Sequence, residues 1–416
     1  MKPCTRGTCW TGSRDRAANV LLLCALLLAV LVVCHGHALA AGPESVPPAA
    51  TTAGEAVAAG DGTAGEPEHV VVYAEPRRFG GWPANHGMWS WGDELLVGFS
   101  RGHYKYLGPD RHAIDRERPE EHWLARSLDG GRTWSTENPA ERGDLIPMGA
   151  ALHGIEPPWL EIPQPQPCPG GIEFTHPDFA LTARMSDANG GTSRFYYSYD
   201  RGRNWEGPFL LPLFEQPGIM ARTDYIVLGR HDALLFLTAA KQNVQEGRPI
   251  CVRTEDGGAT WRLVGSIGPE PTGFAIMPST VRVGEKSLVS AVRRREGPRR
   301  WLEAFRSDDL GQTWQLWSTP AADLGEGNPP SLVRLADGRL VVVYGYRAAP
   351  FGVRARTSDD EGRTWSDEIV LRDDSAGRDV GYPRTIVRPD GRLVSVYYIT
   401  DRETDDRYIA ATIWQP

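Results

Sequence analysis

Ser307-Asp-Asp309-Leu-Gly311-Gln-Thr313-Trp314 is one of five copies of a single pattern, Ser/Thr-x-Asp-x-Gly-x-Thr/Asn-Trp. The others are Ser127–Trp134, Ser198–Trp205, Thr254–Trp261 and Ser358–Trp365. From Asp129 to Asp200, Asp256, Asp309 and Asp360 the steps are 71, 56, 53 and 51 residues. A period of this size marks a repeat architecture. Each copy reads as a hairpin turn. The Asp accepts hydrogen bonds from backbone N–H groups just ahead of it, the Gly permits a positive φ, and the Trp offers an apolar face for packing between sheets. Five equivalent aspartates cannot face one active site, so these residues are structural.

Working outward from the boxes, each is preceded by a strand–turn–strand unit: Trp89–Phe99, Asp178–Tyr197, Asp224–Leu237, Ser279–Ala291 and Ser331–Tyr344. A sixth unit, Arg384–Tyr398, has no box after it. Asp337-Gly338 and Asp390-Gly391 sit between apolar runs, a strong hairpin signal. A further strand, Arg407–Trp414, follows the last unit, and the strand His69–Tyr73 has no sheet of its own. The pattern therefore predicts an all-β fold, a six-bladed β-propeller of four-stranded antiparallel blades over residues 69–416. The N-terminal strand would pair with the last blade and close the ring, which removes open sheet edges. Seven blades, with one hidden in 135–172, is the alternative.

The chain has 416 residues and a formal charge of −8, with 14 Trp and 46 Gly. No basic stripe is present, so nucleic acid is not an expected partner. Residues 1–40 read as a secretory signal: Lys2, Arg6, Arg14 and Arg16 precede the apolar run Val20–Val33, and Ala38-Leu-Ala40 follows. The apolar run is short for a membrane span, so a secreted or periplasmic protein without stable membrane insertion is expected. Residues 41–68 read as a flexible linker rich in Ala, Gly, Pro, Thr and Glu. Cys168 and Cys251 remain after the leader and could form a disulfide in an exported protein. No metal site and no cofactor are expected.

These boxes on a six-bladed propeller behind a secretion signal resemble the sialidase (neuraminidase) superfamily, and the resemblance spans the folded region. It implies a carbohydrate substrate and a retaining exo-glycosidase with a Tyr nucleophile, an exception to the two-carboxylate pattern. Tyr382-Pro-Arg384…Asp390-Gly391…Tyr397-Tyr398 matches the spacing of the family's last-blade motif, which puts the nucleophile at Tyr382. Asp115, in the polar loop Arg101–Glu121, takes the place of the acid/base. Glu326, displaced from the family position that Pro329 holds, is the nearest match to the supporting Glu. Arg222, Arg347 and Arg384 would form a carboxylate clamp. Two departures stand out. Gly81-Trp-Pro83-Ala-Asn85-His86-Gly87 has no Arg where the family has one, and Tyr398 replaces the Glu that supports that Arg.

In a propeller the inner strands begin near the axis, so Asn85, His86, His176, Asp178, Arg222, Asp224, Glu326 and Asn328 are expected to line one funnel with Tyr382 and Arg384. The Pro-rich stretch between the first two boxes would form a funnel wall, with Trp159 or Trp82 as a sugar-stacking face. The cluster Arg293-Arg-Arg295 with Arg299 and Arg300 reads as a solvated loop. Two other classes stay open: a non-catalytic carbohydrate-binding propeller, marked by a polar funnel without an activated Tyr, and a protein-interaction scaffold, marked by an apolar outer patch.

Overall fold

A computed structural model describes residues 66–156 and 160–416. The expected leader, most of the linker and Trp159 lie outside the described residues. The described part is all-β, with its antiparallel sheets set as the blades of a β-propeller.

Strands β1 (Glu68–Tyr73) and β2 (Arg78–Gly81) lead into a one-turn helix α1 (Pro83–His86). The first box follows β3 (Met88–Trp91), β4 (Glu94–His103) and β5 (Glu121–Ser127), and precedes β6 (Ser135–Glu137). After α2 (Ala150–His153) comes a three-stranded sheet of β7 (Ala180–Met185), β8 (Ser193–Ser198) and β9 (Glu206–Leu211). The next sheet has five strands: β10 (Ile219–Met220) and β11 (Tyr225–Gly229) on one edge, then β12 (Asp232–Ala240), β13 (Glu246–Thr254) and β14 (Arg262–Ser266). Two four-stranded sheets follow. One is β15 (Phe274–Arg282), β16 (Leu288–Glu296), β17 (Arg299–Ser307) and β18 (Gln315–Ala321); the other is β19 (Pro330–Arg334), β20 (Leu340–Tyr346), β21 (Gly352–Ser358) and β22 (Ile369–Arg372). The last strands are β23 (Gly381–Val387), β24 (Leu393–Thr400) and β25 (Arg407–Trp414). β1 pairs antiparallel with β25, Val70 opposite Ala411, and β2 joins β25 to β4, so the first and last strands of the described residues share one nine-stranded sheet.

Middle strands carry unbroken apolar runs because sheets cover them on both faces. All eight residues of β24 are buried, as is Leu340–Tyr344 in β20. A short continuous run of this kind is the signature of a sandwiched strand. Cys251 lies in one such core and Cys168 is half-buried; both are free thiols, so the disulfide is not formed.

All five boxes have the geometry their sequence implies. In the fourth, Ser307 Oγ donates to Asp309 Oδ1 at 2.8 Å, and Asp309 accepts from the Thr313 backbone N–H at 2.9 Å and its hydroxyl at 2.6 Å. Gly311, at φ 90°, donates its N–H back to Ser307 Oγ at 2.8 Å. The same bonds recur at Asp129, Asp200, Asp256 and Asp360.

The structure departs from the expectation of four strands in every blade, and it offers no support for the seven-bladed alternative. The second blade has three strands, not four, and among the described residues 138–172 form no blade, only a 3-10 turn, α2 and one bridge from Gln166 to Phe209. The Asp178 carbonyl accepts from Arg201 N just as Asp93 does from Gly130 and His231 from Gly257 in the neighbouring blades. Asp178 is thus at the turn before a second strand, and β7 has no inner strand beside it. α1 occupies that place instead: Thr182 Oγ1 donates to the His86 carbonyl at 2.9 Å. Among the described residues no helix is long and apolar enough to cross a membrane.

Candidate active site

Three inner strands break at the same level, and each break aims one side chain. The third sheet is interrupted between Met220 and Tyr225, where Arg222 sits. Pairing of β15 shifts between Ile276 and Ser279 around Met277, at φ 55°. Pairing of β23 shifts between Gly381 and Arg384 around Tyr382, at φ 50°. A left-handed backbone costs a non-glycine residue about 1–2 kcal/mol, and such strain gathers at functional sites. Asn328, fully buried, holds Tyr382 there: its Oδ1 accepts the Tyr382 N–H at 2.7 Å and its Nδ2 donates to the Val380 carbonyl at 2.8 Å. A Cβ on Gly381 would fall 2.3 Å from that Nδ2, so the glycine is required for the fit.

The Tyr382 hydroxyl has one hydrogen-bond partner among the described residues, Arg293 Nη1 at 3.4 Å. The Arg347 guanidinium lies 5.4 Å from the Tyr382 ring centre. Arg347 Nη2 in turn donates to the Tyr398 hydroxyl at 2.6 Å, and Tyr398 donates to Asp379 at 2.6 Å. Tyr398 therefore fills the supporting-Glu position as a relay between a guanidinium and a buried carboxylate. Burial opposes ionisation of Asp379, but His112, Arg347 and Arg407 hold it far below the usual carboxylate range. Burial would depress Arg347, but Tyr398, Tyr382 and Asp379 raise it.

Arg222, Arg347 and Arg384 do not form a free clamp, because each is committed to the protein. Arg222 pairs with Glu246 at 2.7 Å and donates to Asn85 Oδ1 at 3.1 Å. Arg384 donates to the carbonyls of Ala84 and Thr223 and lies 4.0 Å from Asp224. This guanidinium plugs the centre and leaves a cavity of only about 10 Å³ among Ala84, Arg222, Met277 and Arg384. Asp224 is buried beneath it with Oδ2 unpartnered. Burial, only partly offset by Arg384 and Thr280, raises its pKa to about 7.

Other predicted residues lie elsewhere. Asp115 is tied to Lys105 at 3.2 Å and accepts the Glu117 N–H at 3.1 Å. Despite a small burial penalty, those bonds keep its carboxyl below the ordinary range, the wrong direction for a general acid. Glu326 is exposed and makes no side-chain bond to Tyr382. The missing inner strand accounts for His176 and Asp178. The His176 ring lies tilted 4.8 Å from that of Tyr199 and Asp178 pairs with Arg201 at 2.6 Å, both beside the second box. His86 is buried in a small separate pocket, its Nε2 2.9 Å from Ser100 Oγ. Trp82 is buried against Phe79 and His112, with Arg116 on its ring, and presents no open stacking face.

Arg293 corrects the sequence reading most. It lies on β16, not in a loop, and is half-buried beside Tyr382, its Nε enclosed and unpartnered, with no carboxylate within ion-pair distance among the described residues. Burial depresses its pKa, while Tyr382 and Glu246 act to raise it. No alternation marks Arg293, which sits in the run Arg293-Arg294-Arg295. Asn328 precedes the inner strand β19, as the expected funnel positions do, whereas Glu246 and Asp379 carry no such signal, since only the fold brings them near the site.

The BNR repeat-like domain family matches residues 179–395, just over half of the chain. A comparison by sequence with curated proteins finds no match. Among solved structures, a Dyadobacter fermentans protein of unknown function is similar at TM-score 0.63 and 20% identity, covering 84% of this chain and 98% of that one. The GH93 alpha-L-arabinofuranosidase of Fusarium graminearum with arabinobiose is similar at TM-score 0.54 and 13% identity, covering 85% and 98%. The NanB sialidase of Streptococcus pneumoniae is similar at TM-score 0.52 and 11% identity, covering 83% and 68%. At these identities the similarity is one of fold.

Proposed function

We propose that this chain, which belongs to the BNR repeat-like domain family, is a divergent sialidase-like glycoside hydrolase that takes a carboxylate-bearing sugar at Tyr382. Arg293 carries this reading. A guanidinium partly withdrawn from water and without a counter-ion among the described residues is matched by a ligand carboxylate, which it can grip bidentately, and it stands 3.4 Å from the hydroxyl that would react. The solved glycosidases of similar fold support the reaction class by analogy only.

In the proposed reaction Tyr382 Oη releases its phenolic proton to solvent and attacks the anomeric carbon, while the bond to the leaving oxygen breaks and protonated Glu246 gives that oxygen its proton. The ionised Glu246 then takes a proton from water, whose oxygen bonds the anomeric carbon as the bond to Tyr382 Oη breaks; the sugar is freed and the phenolate regains its proton from solvent. Glu246 replaces Asp115 and Glu326 in this scheme because Arg222 positions it and it acts electrostatically on Arg293. We read the strands as six blades, the last completed by β1 on β25, and the chain as exported, on the strength of its leader-like N-terminus.

Aryl glycosides of acidic and neutral sugars test the proposal. Wild type should cleave acidic ones, Tyr382→Phe should abolish cleavage, and Arg293→Met should raise KM with the fold intact. A second reading, a non-catalytic sugar-binding propeller, is favoured by one observation: the Tyr382 hydroxyl touches an arginine and no carboxylate. Calorimetric binding of an acidic sugar with no turnover on any substrate would establish that reading instead.

A further inference from the structure

A second polar cluster lies between the first blade and the long insertion, apart from Tyr382. Glu120 and His122 flank the start of β5, and His153 ends α2 in the insertion. The three are buried, at 5%, 2% and 9% exposure. One ligand atom from each lies within 4.8 Å of the other two. His153 Nδ1 is 3.4 Å from Glu120 Oε1, too long for a good hydrogen bond. Two ligands of one tetrahedral zinc, at about 2.0–2.1 Å from the metal, stand about 3.3 Å apart.

The surroundings point the same way. Neither ring nitrogen of His153 has a hydrogen-bond partner, and His86 Nδ1 is also unpartnered. The His86 and His122 rings are 4.8 Å apart, and those of His122 and His153 4.9 Å. These groups line a small cavity of about 30 Å³, room for an ion and one water by the measure that about 10–15 Å³ holds a water. Arg116 Nη1 binds the other Glu120 oxygen at 2.5 Å, the kind of outer contact that orients a metal-binding carboxylate. Arg184 Nε, 3.4 Å from His122 Nδ1, places a positive charge nearby and weakens the site relative to one with an uncharged surround.

We propose that Glu120, His122 and His153 bind one zinc-type divalent cation, with the fourth position facing the cavity. Two imidazoles and one carboxylate suit zinc among the borderline metals. His153 comes from the insertion, so the ion would tie that segment to the first blade; Glu120 N already donates to the His153 carbonyl at 2.9 Å.

The test uses the full chain, stripped with EDTA and then titrated with Zn²⁺ alone. One zinc per chain by elemental analysis and a higher Tm are expected, and both should be lost in His153→Gln and Glu120→Gln. Cobalt substituted for zinc should give the intense visible bands of a four-coordinate site, a readout on wild type that stands even if a variant misfolds. His176→Ala, an imidazole outside the cluster, should bind as wild type. No zinc uptake by wild type, equal uptake by His153→Gln, or weak octahedral cobalt bands would each overturn the proposal.

Discussion

Asp224→Asn isolates the carboxyl buried beneath Arg384. Its pKa rises from 3.8 to about 7 because burial penalises the charged form more than Arg384 and Thr280 compensate. A raised pKa means that the folded state holds a proton the unfolded chain has released. This group's contribution to stability is therefore complete below pH 3.8 and is lost as pH rises through 7. Integrating the linkage relation between pH 5 and pH 8 gives a loss of about 2–3 kcal/mol in wild type. Asn has the same shape and no titration, and Arg384 keeps its bonds to the Ala84 and Thr223 carbonyls. Urea unfolding of both proteins at intervals from pH 5 to 8 reads the effect. The unfolding free energy of the variant relative to wild type should increase by about 2–3 kcal/mol across that range. A difference that stays constant with pH would refute the burial argument, whatever its absolute size.

Asp309→Ala removes the acceptor of a box turn and should cost about 1–3 kcal/mol in urea unfolding, with turnover unchanged if the boxes are purely structural. Tyr398→Phe strips the hydroxyl between Asp379 and Arg347, both buried. It should cost about 2–3 kcal/mol through unsatisfied buried groups and weaken substrate binding, because Arg347 packs on Tyr382. Gly381→Ala sets a Cβ against Asn328 at a φ of 110°. It should destabilise by about 1–3 kcal/mol and lower kcat by displacing Tyr382, measured beside a Tyr382→Phe control.

The boxes made the strand order legible because each combines a turn aspartate, a positive-φ glycine and a packing Trp at fixed spacing. β24 and β20 were legible for a related reason, as sandwiched strands carry unbroken apolar runs. Within the candidate site, one motif picks out Tyr382, which the structure sets at a left-handed bend of β23. His176 and Asp178 were misplaced because the counting assumed an inner strand in every blade, and the second blade has none. Arg293 was missed because an Arg-rich stretch on a surface loop and one on a strand beside a binding face share the same composition. Arg222, Arg347 and Arg384 do gather near the centre, but partners such as Glu246 and Tyr398 lie on other blades, and no local pattern records that each guanidinium is already engaged.

A slowly released fluorinated glycoside of an acidic sugar, followed by intact-mass measurement and peptide mapping, tests the central claim directly. The proposal predicts one sugar per chain, attached to the peptide at Tyr382 and absent from Tyr382→Phe. An adduct on a carboxylate such as Glu246, or no adduct at all, would contradict it.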